Sequence, residues 1–241
     1  MLKTILLTAA LLAAPAVTAA QEPVFKAPKI VLVGDSTTAV NSGWGGAFCA
    51  TRVTSAVACV NLGRGGRSTK TYRAEGSWTL ALGEIRAGGF EHAYVLIQFG
   101  HNDAYGRAER LTELATQFPA NLKRYVEETR AAGATPVLVT PLSRRQFKDG
   151  KLVDDLAPWA EAVRKVAAET GTPLVDLNAG SAAAVQALGP LQAAAWAEAP
   201  PSPEVAEALA GGTTVSVKFY EPPLPGAAPV PMDPPAPATA S

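Results

Sequence analysis

Histidine is nearly absent from this sequence. The 241 residues include two histidines, His92 and His101, and two cysteines, Cys49 and Cys59. Metal sites built from these residue types need several of them at short, regular spacings, and no such cluster of Cys and His occurs. The sequence therefore gives no reason to expect a bound metal ion. It also leaves few side chains that can act as a general base near neutral pH.

Net charge is lacking as well. Lysine and arginine total 21, aspartate and glutamate total 21, and the formal net charge is zero at pH 7. No stretch of the sequence concentrates basic residues in the way that is typical of proteins that bind nucleic acids or anionic membrane surfaces. We therefore expect neither a nucleic acid nor a charged membrane surface as a partner of this chain.

Long apolar runs are missing beyond the N-terminus. There, Lys3 precedes an apolar segment at residues 5–14, and small residues follow it. This pattern predicts a secretory signal peptide that is cut after Ala19 or Ala20. The segment is short and rich in alanine for a membrane span, and an uncleaved anchor is the alternative. We expect a periplasmic or extracellular protein that is not stably inserted in a membrane, with residues 1–20 as its signal peptide.

The two cysteines are then exposed to an oxidising compartment, where a disulfide is permitted. Cys49 lies in a predicted helix and Cys59 in the next predicted strand. A helix packed on its neighbouring strand can bring two such residues within bonding range. We favour a disulfide over two buried thiols. A cysteine nucleophile fits less well, because neither residue lies in a loop at a strand end.

Predicted strands and helices alternate through residues 21–196. Apolar runs at residues 30–33, 93–99 and 136–140 predict buried strands, and a longer amphipathic pattern at residues 111–132 predicts a helix. Such alternation predicts one α/β domain with a parallel, doubly wound sheet and helices on both faces.

The last part of the chain has a different composition. More than half of the twenty prolines lie within residues 197–241. We predict that this proline-rich segment is largely irregular. Before it, Asp149-Gly150 lies at the centre of a charged loop and predicts a small hairpin over the carboxyl end of the sheet.

The first buried strand, residues 30–33, runs directly into Gly34-Asp35-Ser36-Thr37. Ligands of open α/β sheets bind just past the carboxyl ends of the strands, so Ser36 is predicted at the mouth of a crevice, at or near the start of a helix. Free backbone N–H groups at such a place can stabilise an oxyanion. The same residues also suit an ordinary turn or a helix N-cap.

Two later segments, each following a predicted strand, strengthen the catalytic interpretation. Together the three segments resemble those of the SGNH (GDSL-type) hydrolases, and more closely their rhamnogalacturonan acetylesterase-like branch. The resemblance covers roughly residues 29–180. The residues that carry it are Gly34-Asp35-Ser36-Thr37, Gly66-Arg67-Ser68 with Tyr72, and Gly100-His101-Asn102-Asp103.

The resemblance implies a flavodoxin-like, three-layer α/β/α fold with five parallel strands in the order 2-1-3-4-5. It implies a serine esterase without a cofactor, whose substrate is an acetylated polysaccharide or a small ester. Ser36 is then the nucleophile, and the backbone N–H of Gly66 and the side-chain amide of Asn102 hold the oxyanion. Four further residues are implied at the substrate site: Asp35, Arg67, Tyr72 and His101, the last of which is not the family's catalytic base.

The family's fourth motif, Asp-x-x-His, is absent from this sequence. A serine nucleophile needs a base to take its proton, usually a histidine oriented by a carboxylate. The final helix that follows this motif in the family is missing too. We expect a single cause for both omissions, a chain cut short before the motif, and a sheet face left uncovered.

Three hypotheses follow for the function. The first is an acylesterase that removes acetyl groups from a plant polysaccharide such as rhamnogalacturonan. The second is a carbohydrate-binding protein that keeps the crevice but has lost catalysis. The third is that His101 or a water relay replaces the missing base.

Overall fold

The computed structural model describes residues 25–197 and 201–214, so the predicted signal peptide lies outside the described residues. Within them, a five-stranded parallel sheet is flanked by helices. The elements in chain order are β1 Lys29–Gly34, α1 Trp44–Thr51, β2 Ala58–Asn61, α2 Thr71–Ala74, α3 Ser77–Arg86, β3 Ala93–Gln98, α4 His101–Ala104, α5 Gln117–Ala131, β4 Thr135–Val139, β5 Phe147–Lys148, β6 Lys151–Leu152, α6 Ala157–Thr170, β7 Leu174–Val175, α7 Leu177–Ala194 and α8 Pro203–Ala210.

The strands of the main sheet lie in the order β2-β1-β3-β4-β7, and each neighbouring pair is parallel. This confirms the predicted 2-1-3-4-5 order, because β5 and β6 form a separate antiparallel hairpin. β1 pairs with β3 along its whole length, from Lys29 opposite Ala93 to Gly34 opposite Gln98. The carboxyl ends of the central strands therefore meet at one edge of the sheet.

One face of the sheet is fully covered by helices α3, α5 and α6. The side chains that β1 and β3 direct to this face have no exposed surface, and they are Val31, Val33, Val95 and Ile97. The helices contribute large rings to the same core, including Trp78, Tyr125 and Trp159. Burial of this many apolar side chains is the main stabilising contribution to the fold.

The opposite face is covered less completely in the described part of the chain, and α1 packs on its β2 edge. There α1 is joined to β2 by a disulfide between Cys49 and Cys59, whose Cα atoms are 5.6 Å apart. The pairing that the sequence favoured is thus present. Cys59, Ile30 and Tyr94 lie in one row across the sheet. Tyr94, the member of this row on β3, is 41 % exposed.

Helix α5 begins later than predicted. The amphipathic pattern predicted a helix from Leu111, but the structure starts it at Gln117. Pro119 has no N–H to donate to a preceding turn, so it belongs in the first turn of a helix. Thr112 is also held elsewhere, because its N–H donates to the carbonyl of Asp103 at 3.1 Å.

The predicted hairpin is confirmed. Its turn places Asp149 and Gly150 at φ values of 50° and 75°, the left-handed region that such a tight turn requires. Phe147 of the hairpin is fully buried against Val185 and Ala193 of α7. Helix α7 therefore packs on the hairpin.

Helix α7 begins at Leu177, directly after Asp176, which caps it and accepts from the N–H of Ala179. Near its end the backbone leaves the helical region at Gly189, directly before Pro190, and the helix is kinked there. Over the described parts of the chain, no helix has both the length and the apolar character to cross a bilayer.

Helix α8 lies within residues 197–241, which were predicted to be largely irregular; most of that segment lies outside the described residues, so the prediction as a whole stays untested. Ser202 accepts from the N–H of Val205 as the N-cap, Pro203 occupies the first helical position, and Glu204 lies in the first turn. Each is a favourable residue at its position, because proline has the helical φ and an acid interacts well with the positive helix end. Proline here starts a helix instead of preventing one.

Candidate active site

Ser36 lies in a single tight turn just past the end of β1. The carbonyl of Asp35 accepts from the N–H groups of Thr38 (3.2 Å) and Ala39 (3.1 Å), which closes the turn. Helix α1 begins only at Trp44. The prediction that Ser36 lies at or near a helix start was therefore wrong.

Asp35 shapes this turn and is not a substrate-binding residue. Its side chain has no exposed surface. Its Oδ1 accepts from the N–H (2.8 Å) and the hydroxyl (2.7 Å) of Thr37. A buried carboxylate that is engaged in this way has no contact with a ligand, so the predicted role of Asp35 is corrected to a structural one.

The glycine-rich loop approaches Ser36 directly. A Cβ atom placed on Gly65 would lie 3.7 Å from Cβ of Ser36. The next residue, Gly66, has φ of 77°, a left-handed conformation that side chains rarely adopt. The backbone of the loop therefore lies beside the nucleophile, where the resemblance predicts an oxyanion donor.

Asn102 is joined to the same loop. Its Nδ2 donates to the carbonyl of Arg67 at 3.1 Å. An amide nitrogen carries two N–H groups, so one remains for a second acceptor. Gly65 faces Ser36 and Arg67 accepts from Asn102, and Gly65 and Arg67 flank Gly66. The structure thus brings together the three residues that the sequence predicted for attack and oxyanion binding.

A buried carboxylate holds the loop and α4 in this arrangement. Asp103 accepts from the N–H of Thr69 (3.1 Å), from the Thr69 hydroxyl (2.5 Å) and from the Thr112 hydroxyl (2.9 Å). Burial raises the pKa of Asp103 to about 7, although the hydrogen bonds from Thr69 and Thr112 act in the other direction. Asp103 was part of the sequence motif, but its anchoring role was not predicted.

Gln98 is a positioning residue that the sequence did not reveal. Its Oε1 accepts from the hydroxyl of Thr38 and from Nε1 of Trp44, both at 2.7 Å. It thereby ties the Ser36 turn and the start of α1 to the end of β3. A polar residue at the last position of a buried strand was the available signal.

Tyr72 is not a substrate-binding residue. It is 1 % exposed, its ring packs against Phe99, and its hydroxyl donates to the carbonyl of Leu62 at 2.8 Å. Burial raises the pKa of this hydroxyl well above its usual value. The prediction failed because the position of a tyrosine in the sequence motif is the same whether its side chain packs under the loop in the core or faces the crevice.

Arg67 is used by the loop itself. Its Nε donates to Glu75 at 2.8 Å and its Nη1 to the carbonyl of Gly65 at 2.7 Å. One third of the side chain is exposed. Contact of Arg67 with substrate stays a prediction, whereas its support of the loop is observed.

His101 faces Asp35 in the interior of the site. Its Nδ1 lies 3.8 Å from Asp35 Oδ2. Burial lowers the pKa of His101, which the charge of Asp35 partly opposes. The ring makes no hydrogen bond to Ser36 within the described residues, so the structure offers no support for His101 as a base.

His92 lies at the other end of the sheet. It precedes β3, and its Nε2 is 2.8 Å from the hydroxyl of Thr135 at the start of β4. Ser36 follows the carboxyl end of β1, and a strand of six residues separates the two ends by about 20 Å. His92 is therefore excluded as a base for Ser36.

A search of the described residues finds no group of three or more His, Cys, Asp or Glu side chains that could hold a metal ion. The groups that the structure does bring together at the site are a serine hydroxyl and N–H groups that can donate to a developing negative charge. This combination is typical of acyl transfer.

Comparison with known families agrees with this chemistry. Residues 32–216 match the model of the GDSL-like lipase/acylhydrolase family. The match covers most of the chain, and the chain belongs to this family. Its class is thus that of the carboxylic-ester hydrolases.

Two curated relatives come from Bacillus subtilis strain 168. YesY, named a probable rhamnogalacturonan acetylesterase, is 34 % identical over 154 residues, which are 61 % of this chain and 69 % of YesY. The rhamnogalacturonan acetylesterase RhgT is 32 % identical over 170 residues, which are 67 % of this chain and 70 % of RhgT.

Among solved structures, an acetylxylan esterase from Geobacillus stearothermophilus superposes with a TM-score of 0.55 at 21 % identity, over 78 % of this chain and 90 % of that one. At this level of identity the likeness establishes a shared fold and nothing finer.

Proposed function

We propose that this chain is a serine acetylesterase of acetylated plant cell-wall polysaccharide, such as rhamnogalacturonan. The observation that carries the proposal is the convergence of Ser36, the loop at Gly66 and the amide of Asn102 at one edge of the sheet. The identity to two Bacillus proteins named as rhamnogalacturonan acetylesterases supports this substrate class.

In the proposed reaction, Oγ of Ser36 attacks the acetyl carbonyl and gives its proton to hydroxide or water. The bond between the acetyl carbon and the sugar oxygen then breaks, the sugar leaves as a free hydroxyl after taking a proton from water, and the acetyl group stays on the serine. The carbonyl oxygen becomes negatively charged, and the N–H groups of Ser36 and Gly66 and the free N–H of Asn102 stabilise it. Water then hydrolyses the acyl-serine and releases acetate. Donors that are already in place cost no reorganisation when the charge develops.

The proton of Ser36 has no histidine to accept it in the described structure. His101 faces Asp35, and His92 is at the far end of the sheet. A triad enzyme that has lost a member keeps about 10³ to 10⁴-fold catalysis over water, which comes from the oxyanion site and substrate binding. We therefore propose that this chain hydrolyses esters slowly.

The same observation favours a second candidate function. A protein that keeps the crevice without a base can bind the polysaccharide and leave its esters intact. The two candidates differ in one measurable property, which is turnover that depends on Ser36.

The test is hydrolysis of p-nitrophenyl acetate by residues 21–241, beside the Ser36→Ala variant. For the esterase we expect turnover that Ser36→Ala abolishes and that rises steadily with pH, because hydroxide takes the place of the base. A rate that levels off below the ordinary pKa of histidine, because burial lowers the pKa of His101, and that loses this plateau in His101→Gln would instead identify His101 as the base. Equal rates in the wild type and Ser36→Ala would refute the esterase, and binding of pectic oligosaccharides in calorimetry would then support the second candidate.

We also propose that the chain is exported through residues 1–20. The support is the order of a basic residue, an apolar segment and small residues in the sequence. Expression of the full chain in a bacterial host should give a periplasmic or secreted product whose N-terminus is residue 20 or 21. A product that keeps Met1 would contradict this proposal.

A further inference from the structure

The guanidinium group of Arg110 lies against the glycine-rich loop, at Gly66. A Cβ atom placed on Gly66 would be 3.1 Å from Nη1 of Arg110 and 3.2 Å from its Cζ and Nη2. Three atoms of the planar group are thus almost equally distant, so the group lies flat over the glycine. This close approach exists because Gly66 has no side chain.

The position of Arg110 is fixed by its own turn. Its N–H donates to the carbonyl of Arg107 at 2.9 Å. Its side chain then passes Gly106, where a Cβ would be 3.8 Å from Cδ. Arg110 is half-buried, and glycines lie along both the stem and the head of its side chain.

Three other arginines near the site are paired with acids, and Arg110 is not. Arg64 and Arg67 both contact Glu75, at 3.5 and 2.8 Å. Arg144 contacts the buried Asp155 at 3.2 Å. For Arg110, residues 25–197 and 201–214 provide neither an ion pair nor a side-chain hydrogen bond.

A half-buried guanidinium without a partner is a site for an anion. The group offers five N–H donors in a planar fork that matches the two oxygens of a carboxylate. Pairing with a ligand carboxylate recovers part of the hydration that the group loses through burial. Because Arg110 touches Gly66, an anion bound there lies within one sugar ring of the reacting carbonyl.

We propose that Arg110 binds the carboxylate of a uronic acid residue in the polysaccharide chain, next to the acetyl ester that is cleaved. The inference rests on the proposed function, and it selects acidic over neutral polysaccharides as substrates. Arg110 is then a specificity-determining residue, and a neutral polymer such as acetylxylan leaves its charge unpaired.

The competing role for this cation is direct stabilisation of the oxyanion. The two roles have different signatures. A cation that acts on the oxyanion accelerates every acetyl ester, whether the sugar is charged or neutral. A cation that binds a uronate accelerates only esters of the charged sugar.

The experiment measures acetate release from an acetylated oligogalacturonate and from the same oligosaccharide with its carboxyl groups methyl-esterified. The proteins are the wild type, Arg110→Gln, and Arg107→Gln as the matched control, since Arg107 is an exposed arginine three residues away. We expect Arg110→Gln to lower kcat/KM on the acidic substrate by about tenfold to a hundredfold. On the neutral substrate, and in Arg107→Gln, the change should stay within about twofold. An equal loss on both substrates, or no loss on either, would overturn the proposal.

A binding measurement separates this inference from the proposed function. Calorimetry with unacetylated oligogalacturonate compares Ser36→Ala with the double variant Ser36→Ala/Arg110→Gln. Weaker binding in the double variant supports the role of Arg110 even if no turnover by Ser36 is found, in which case only the esterase fails. Equal binding by both variants overturns the role of Arg110 and leaves the esterase untouched.

Discussion

The segment from β1 to β4 and the segment from the hairpin to α8 differ in the length and burial of the strands that they contribute to the main sheet. In the first, β1 pairs along its whole length and its core side chains are fully buried. In the second, β7 has two residues, and both are exposed, Leu174 by 38 % and Val175 by 46 %. All the groups assigned to attack and oxyanion binding belong to the first segment. The nucleophile and the proposed oxyanion donors thus belong to the segment with the longer, buried strands, and the region past β7 supplies no reactive group within the described residues.

The largest expected difference between the segments is catalytic. Asn102 and Asn178 both lie just past the carboxyl end of a strand, one in each segment. Asn102→Ala removes an oxyanion donor and should lower kcat for p-nitrophenyl acetate by about 10² to 10³-fold. Asn178→Ala, measured per folded molecule, should leave the rate within about twofold. Equal losses in the two variants would place the reactive groups in both segments.

The next effect concerns the edge of the first segment. Removing the disulfide with Cys49→Ser and Cys59→Ser frees a loop that closes over a sequence separation of 10 residues. The free energy of unfolding should fall by about 2–3 kcal/mol, as measured by urea denaturation. The rate at Ser36 should be unchanged, because the bond lies on the α1–β2 edge. An unfolding curve that a reductant does not shift would contradict this expectation.

A valine in each segment tests the packing difference directly. Val33 of β1 is fully buried, whereas Val175 of β7 is nearly half exposed. Val33→Ala should cost about 2 kcal/mol of unfolding free energy, because it removes buried methyl groups and leaves a cavity. Val175→Ala should cost less than about 1 kcal/mol. If urea denaturation gave equal costs, the two segments would not differ in packing.

The smallest effect is a pH dependence in the first segment. Burial alone would raise the pKa of Glu128, but hydrogen bonds from Arg73, Trp78 and Arg124 lower it to about 2. The folded state therefore gains stability from this carboxylate above its ordinary pKa and loses it as the pH falls toward 2. In Glu128→Gln, the fall in the free energy of unfolding between neutral and acidic pH should be smaller by about 1 kcal/mol, after allowance for the partial exposure of Glu128. If urea denaturation gave the same pH dependence of stability for the wild type and Glu128→Gln, the hydrogen bonds would not stabilise the Glu128 carboxylate as described.

The sequence predicted the parts of the fold that depend on short-range patterns. The apolar runs of β1 and β3 and the turn at Asp149-Gly150 each formed as expected. The grouping of Ser36, Gly66 and Asn102 also followed, because parallel strands bring their carboxyl ends to one edge.

The errors have long-range causes. Tyr72 and Asp35 were placed at the substrate site because polarity does not reveal which way a motif residue faces. The start of α5 was missed because Thr112 is held by Asp103, a contact with no local signature. Arg110 was missed because its importance comes from the glycine that it touches, which lies 44 positions earlier in the chain.

The shared acceptor at Gln98 has a consequence for protein engineering. Its oxygen joins Thr38, next to the nucleophile, and Trp44, at the head of α1, to the strand that leads into Asn102. The nucleophile and the amide donor are therefore parts of one frame. One way to convert this chain into a fast hydrolase is to introduce a histidine on a nearby segment. That histidine would have to be aligned with one connected unit, and not with a nucleophile and an amide donor that move independently.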